Sequence, residues 1–468
     1  MKIPGGSLKA VQRFNRVALW SLVLTLGWAT GWGCAPAPSA RAPKVLNDEQ
    51  RALNVASFDQ VWETVKNKHW DPKLNGVNWE AVRDELRPRV ESAKTMGEAR
   101  SVMEEMLGRL RQSHFGIIPA QAYDYEKQLS EPATPKANGE SNNKRKRGAS
   151  GMEMCVIDGQ AIVFRVVEGS PAQQAGVRPG WVMTRADKVD VSKVLANFSK
   201  GDKKDHMGLM MALVAQSIAD GDEGRTMTYG FLDESNRKVT RKITMGPAKG
   251  EEAKFGNLPS MFVRFESRRV DGDIHYVHFT SFFGMSIMKG VKEAVEANAD
   301  AAGFVLDLRG NPGGVGALAM GVGNWFVTAP DQKLGTLITR DSELKFVLNP
   351  QPGGFRGPLA ILVDERSAST SEILAGGLQA IGRARVFGTT TAGAALPSVI
   401  EVLPNGDRFQ YAFANYVSAQ GGVLEGVGVI PDEVVQLDRA SLLEGRDPVM
   451  EAAIRWIRSS REAVGRIN

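Results

Sequence analysis

A chain of 468 residues with 43% hydrophobic content is too long for one core and too apolar for disorder, so it divides into several globular domains. Its net charge of +5 is small and local, with Lys2, Lys9, Arg13 and Arg16 at the start and Lys144-Arg-Lys-Arg147 in a polar stretch, which gives no ground for expecting nucleic-acid binding. Two cysteines, Cys34 and Cys155, exclude a disulfide framework and a cysteine-based metal site.

The first 34 residues read as an export signal. Basic residues precede Val17-Ala-Leu-Trp-Ser-Leu-Val-Leu-Thr-Leu26, an apolar run too short to span a membrane comfortably. It ends at Gly31-Trp-Gly-Cys34, which resembles a bacterial lipobox with Cys34 as the lipidated residue, although Gly31 stands where Leu is usual. A signal cleaved near Ala40 and an uncleaved anchor are the alternatives, and Pro36, Pro38 and Pro43 weigh against cleavage there. The expectation is an exported protein of the bacterial envelope, on the periplasmic side and held to the membrane by lipid on Cys34.

Residues 35–46 form a spacer, and residues 47–120 carry three helical stripes. These are Phe58, Val61, Trp62 and Val65; Trp79, Val82 and Leu86; and Met103, Met106, Leu107 and Leu110. The last stripe runs into Ser113-His114. Residues 121–150 are rich in Glu, Lys, Asn, Ser, Pro and Gly and read as a flexible linker. Residues 151–248 hold strand-like runs around Ser170-Pro-Ala-Gln-Gln-Ala-Gly-Val-Arg-Pro-Gly180, which resembles a PDZ domain of the protease-associated kind. Such a domain takes an extended peptide on a sheet edge and holds its terminal carboxylate on backbone N–H groups, here near 151–156. Residues 255–440 alternate strands and helices as an α/β unit, with Arg385-Val-Phe387 and Val399-Ile-Glu-Val402 expected to continue one sheet and Val315–Phe326 expected to be a helix. Residues 441–468 hold a closing helix.

Two turns of this last unit join a buried strand to a helix. Pro358–Val363 leads through a serine-rich turn into a helix opening near Ser369, where free N–H groups and the helix dipole face any developing negative charge. Ser369 and Glu372 also have capping-box spacing; the cap is expected at Ser367 or in the backbone, leaving Ser369 Oγ in the cleft. Arg309-Gly-Asn-Pro-Gly-Gly314 is the second turn, and its glycines lack dinucleotide spacing.

Asp307-Leu-Arg-Gly-Asn-Pro-Gly-Gly314, Ser367-Ala-Ser-Thr-Ser-Glu372 and Glu425-Gly-Val-Gly-Val-Ile-Pro-Asp432, in this order behind a PDZ-like unit, resemble the carboxy-terminal processing (tail-specific) serine peptidase family. The resemblance implies a multidomain α/β protein with a helical domain, a PDZ-like domain and a crotonase-like catalytic core, with Ser369 as nucleophile. The processing branch pairs that serine with a lysine. Here Ala394 stands in its place, and no lysine follows Lys345. No histidine follows His278, while Ser113-His114 looks like the Ser-His pair of the tricorn-core branch and Glu425 like its later glutamate. The resemblance therefore implies His114 as base, Glu425 and Ser113 orienting it, and the N–H groups of Gly314 and Thr370 as oxyanion hole. It implies polypeptide substrates, with termini captured by the PDZ-like unit, and no cofactor or metal. The alternative is an inactive scaffold of the same fold that binds chain termini.

Overall fold

A computed structural model describes residues 45–123, 146–199, 206–254, 256–257 and 261–465. The expected signal, Cys34 and most of the linker lie outside the described residues. Among the described residues no helix is long and apolar enough to cross a membrane.

Helices α1 (Asp48–Lys68), α2 (Trp79–Glu91) and α3 (Met96–Gly108) carry the three stripes. Each starts on a side-chain cap, from Asn47, Asn78 and Thr95, which satisfies an N–H that the first turn leaves free. Their buried faces do not close on one another alone. Leu396, Leu403, Phe409, Tyr411 and Ala412 complete the same core.

After α3 the chain turns sharply, with positive φ at Arg111 and His114, and enters β1 (Gly116–Ile118). This strand pairs antiparallel with Arg408–Ala412, with Ile117 opposite Phe409. Arg100 adds a two-pronged ion pair to the fully buried Asp407, at 2.8 Å on each oxygen. The helical region is thus fixed to the remote hairpin in one register.

The middle unit is an antiparallel sheet of β2 (Met152–Ile157), β3 (Gln160–Val166), β4 (Val182–Ala186), β5 (Thr226–Leu232) and β6 (Lys238–Thr244), in that order. Helices α4 (Val191–Ser199) and α5 (Met207–Ala219) accompany it, and residues of both enter its core. Cys155 is buried here as a free thiol, and burial pushes it up to about 12.

The last unit is built on a six-stranded sheet ordered β7 (Phe265–Val270), β8 (Ile274–Phe279), β9 (Gly303–Asp307), β10 (Leu359–Val363), β11 (Arg385–Gly388) and β12 (Glu433–Val434). All pairs but β7–β8 are parallel. Strands β9 and β10 are buried at every position, as expected where both faces are covered. Helix Ser286–Glu296, helix Ala317–Gly323 and α6 (Thr370–Ala380) contribute to the core on one face, and Pro448–Gly465 packs on the other.

Two expectations are corrected. Ser398–Val402 does not continue this sheet but forms a hairpin with Arg408–Ala412, because Asn405-Gly406 makes a tight turn with Gly406 at φ 87°. The helix expected over Val315–Phe326 is shorter, Ala317–Gly323.

The middle unit is held to the sheet by charge. Arg165 and Arg309 both pair with Asp307, which also accepts from the Tyr276 hydroxyl. Asp307 is buried, yet its guanidinium neighbours hold its carboxyl well below the usual range. Phe164 lies under the guanidinium groups of Arg165, Arg309 and Arg366.

Candidate active site

Strand β10 ends at Val363 and α6 starts at Thr370, so Ser369 occupies the first position before the helix. Its backbone has φ 55° and ψ −116°, a conformation that L residues rarely adopt. Such strain costs on the order of 1–3 kcal/mol and persists only where neighbours enforce it.

The enforcing group is Glu372. Its fully buried carboxylate accepts from Ser369 N–H at 2.9 Å, Ala394 N–H at 3.0 Å, Gly393 N–H at 2.7 Å and Thr391 Oγ1–H at 2.6 Å. Burial pushes this carboxyl up to about 7, against the four donors, which favour its charged form. Ser369 N–H also donates to Ala394 O at 2.8 Å. Ala394 therefore positions Ser369 through its backbone, and its methyl group is buried.

Ser367 does not cap the helix; the capping box falls on Ser369 and Glu372 themselves, contrary to the expectation that left Ser369 out of it. Its hydroxyl donates to Leu308 O at 2.8 Å and accepts from Asp364 N–H at 3.0 Å, tying the turn to β9 instead. Opposite, a Cβ on Gly313 would lie 2.8 Å from Ser369 Cβ and from Thr370 N, so only glycine permits this approach. Thr370 Oγ1 donates to Gly314 O at 2.8 Å. Among the described residues the N–H groups of Gly314 and Thr370 have no hydrogen-bond partner.

Ser113 and His114 arrive at this site because β1 is registered against the hairpin. Glu425 accepts from Ser113 N–H at 2.6 Å, Ser113 Oγ–H at 2.8 Å and Ala395 N–H at 3.0 Å. Ser113 Oγ lies 2.6 Å from His114 Nδ1. A hydroxyl has one proton, and Ser113 gives it to Glu425, so Nδ1 must be the donor in this bond. Nε2 then carries the lone pair. It is buried and makes no hydrogen bond, so it does not bond Ser369 Oγ in this conformation. The segments that carry them are linked through Ala394, bonded to Ser369, and Ala395, bonded to Glu425.

Burial, helped by the charge of His206, pushes His114 down to about 3, while burial raises the Glu425 carboxyl. The imidazole is therefore neutral in the folded state well below its unfolded value of about 6.5. A depressed folded value means stability is full above about pH 6.5 and falls as the unfolded chain takes up the proton. Between pH 8 and pH 5 this loss is about 2 kcal/mol. In urea unfolding the wild type should lose about that much more over this interval than His114→Asn, since asparagine tolerates the positive φ. Equal losses would show that the proton is taken up equally by both states.

His206 was not legible from the sequence, where nothing near it signals a site. It sits at the head of α5 and lies 2.6 Å from Ala392 O through Nδ1. Leu209 and Met210 of the same helix pack with Ala368 and Ala394, on either side of the Ser369 backbone. Glu372 was read as half of a helix cap, and its grip on 391–394 is visible only in the fold. The other histidines serve structure: His69 bonds Gln112, His275 bonds Ser267 and His278 bonds Asp307 O. Among the described residues no three His, Cys, Asp or Glu side chains form a metal-ligand set.

Residues 273–435 match peptidase family S41, and residues 55–108 match the tricorn protease C1 domain. The carboxyl-terminal-processing protease of Synechocystis sp. is 24% identical over 435 residues, covering 92% of this chain and 90% of that protein. Tricorn protease homolog 2 of Streptomyces coelicolor is 23% identical over 426 residues, covering 85% of this chain but only 32% of its own length. Among solved structures, the photosystem II D1 C-terminal processing protease aligns with a TM-score of 0.54 at 21% identity, over 88% of this chain and 97% of that one. Mature CPAF aligns with a TM-score of 0.57 at 12% identity, over 87% and 97%. At these identities both likenesses speak for the fold alone.

Proposed function

We propose that this chain, a member of peptidase family S41, is a serine endopeptidase that cleaves unfolded or tail-exposed polypeptides through an acyl-enzyme on Ser369. The observation that carries this reading is the unbroken run Glu425, Ser113, His114, which leaves the lone pair of a buried Nε2 unused. Ser369 Oγ attacks the substrate carbonyl and gives its proton to His114 Nε2. The imidazolium then passes that proton to the departing amine, and water cleaves the ester by the same route. Glu425 stabilises the imidazolium through Ser113. The free N–H groups of Gly314 and Thr370 receive the oxyanion. A closer kinship with the tricorn-core branch is supported by Ala394, which stands where the processing branch carries its lysine.

The Nε2–Oγ bond forms only after a rearrangement, and α5, resting on Ala368 and Ala394, is the element to move. The PDZ-like middle unit captures substrate termini, and the chain works in the bacterial envelope, exported and lipid-anchored at Cys34. A purely binding scaffold would leave the Glu425–Ser113–His114 run without a use.

The test is covalent. A fluorophosphonate probe should label the purified protein once, at Ser369, and labelled protein should no longer hydrolyse casein. Absence of both labelling and casein cleavage, in protein that unfolds cooperatively, would overturn the assignment.

A further inference from the structure

Strand β2 lies at the edge of the middle sheet, paired on one side with β3. A free edge of this kind normally offers its backbone groups to water or to an added strand. Here side chains take them. Gln216 of α5 donates from Nε2 to Met152 O at 2.9 Å and accepts from Met154 N–H through Oε1 at 2.9 Å. Arg366 donates from Nη1 to Met154 O at 2.8 Å. A primary amide thus makes the donor and acceptor contacts that the backbone of an added strand would make.

A carboxylate lies next to it. Asp220, the residue after α5, accepts through Oδ1 from Ser150 N–H at 2.9 Å and Ser150 Oγ–H at 3.1 Å, just before β2 begins. Its other oxygen accepts from Gln216 Nε2 at 2.7 Å. Amide and carboxylate follow one another along the edge as they do at the end of a polypeptide. Beside them runs a cavity of about 300 Å³, which reaches Pro312 in the loop before Gly314. Met152, Leu209, Leu213, Met261 and Phe262 line it, and Arg147, Lys249 and Arg264 bring positive charge to its wall, Arg264 in an ion pair with Glu153.

We propose that Gln216 and Asp220 are a built-in stand-in ligand: they occupy the strand edge and the carboxylate seat, and an extended polypeptide with a free carboxyl terminus docks by displacing them. This rests on the reading of the chain as a peptidase of exposed polypeptide ends. The stand-in weakens binding by the reciprocal of the fraction of molecules in which the seat is open, so removing it strengthens binding by that factor. The apolar lining favours an apolar last residue, and the basic groups favour its carboxylate.

The experiment uses the full chain carrying Ser369→Ala, so that binding is read without turnover. A fluorescein-labelled decapeptide of serine and alanine ending in valine is titrated as the free acid and as the carboxamide, with fluorescence anisotropy as readout. Gln216→Ala and the isosteric Asp220→Asn, each checked for cooperative thermal unfolding, should bind the free acid at least tenfold more tightly than the parent. The carboxamide should gain less than twofold. Unchanged or weaker binding of the free acid in both variants overturns the proposal, and an equal gain for the carboxamide overturns the carboxylate seat. Active protein that cleaves casein while Gln216→Ala gains nothing would refute the stand-in alone. A tenfold gain in a protein whose Ser369 never reacts would refute the peptidase reading alone.

Discussion

Replacing His114 with asparagine is expected to lower kcat/KM for casein-derived peptides by about a thousandfold, with KM changed by no more than a few-fold. This corresponds to about 4 kcal/mol of lost transition-state stabilisation. The size follows from the tautomer. Ser113 donates to Glu425 and receives from Nδ1, so Nε2 is committed as an acceptor and no other described imidazole holds a free nitrogen in the same run. Asparagine suits the φ of 62° at this position, so loss of activity is not confounded with backbone strain. Adding His114→Asn to Ser369→Ala should cost nothing further, because nucleophile and base act as a unit. A loss below tenfold for His114→Asn would remove it from the role of base and direct attention to His206.

Replacing Glu372 with glutamine should destabilise the protein by about 3–5 kcal/mol, measured by urea unfolding at pH 8, and reduce kcat. Four donors converge on the two carboxylate oxygens. Glutamine offers one oxygen, which can serve two of them, and turns an NH2 group toward the others. Each buried donor left unpaired costs about 1–3 kcal/mol. The effect reaches the proposed catalysis because two of the four donors are Ser369 N–H and Ala394 N–H, which set the unusual backbone of Ser369. Destabilisation below 1 kcal/mol would mean that the turn keeps its shape without the carboxylate.

Local patterns carried much of this organisation. The three stripes of the helical region are its buried faces, the apolar runs at 303–307 and 358–363 are the central parallel strands, and the serine-rich and glycine-rich turns each join such a strand to a helix. These follow from periodicity and turn chemistry, which act over a few residues. The hairpin at 398–412 was misjudged for the opposite reason. A short apolar run looks alike in a parallel sheet and in a hairpin, and its partner, β1, lies nearly three hundred residues earlier.

By itself the amino-acid sequence determined which chemical groups are available: a serine at a strand-to-helix turn, a Ser-His pair after a helix, a late glutamate and no late lysine. Only the tertiary structure decided that these groups meet. The register of β1 carries Ser113-His114 to Glu425, a buried carboxylate shapes the turn at Ser369, and α5 rests its head on that turn and its side chains on the β2 edge. The reason is physical. Conformation at one residue is set by its neighbours in the chain, whereas a hydrogen bond between residues 113 and 425 depends on every strand and buried contact that closes the chain between them.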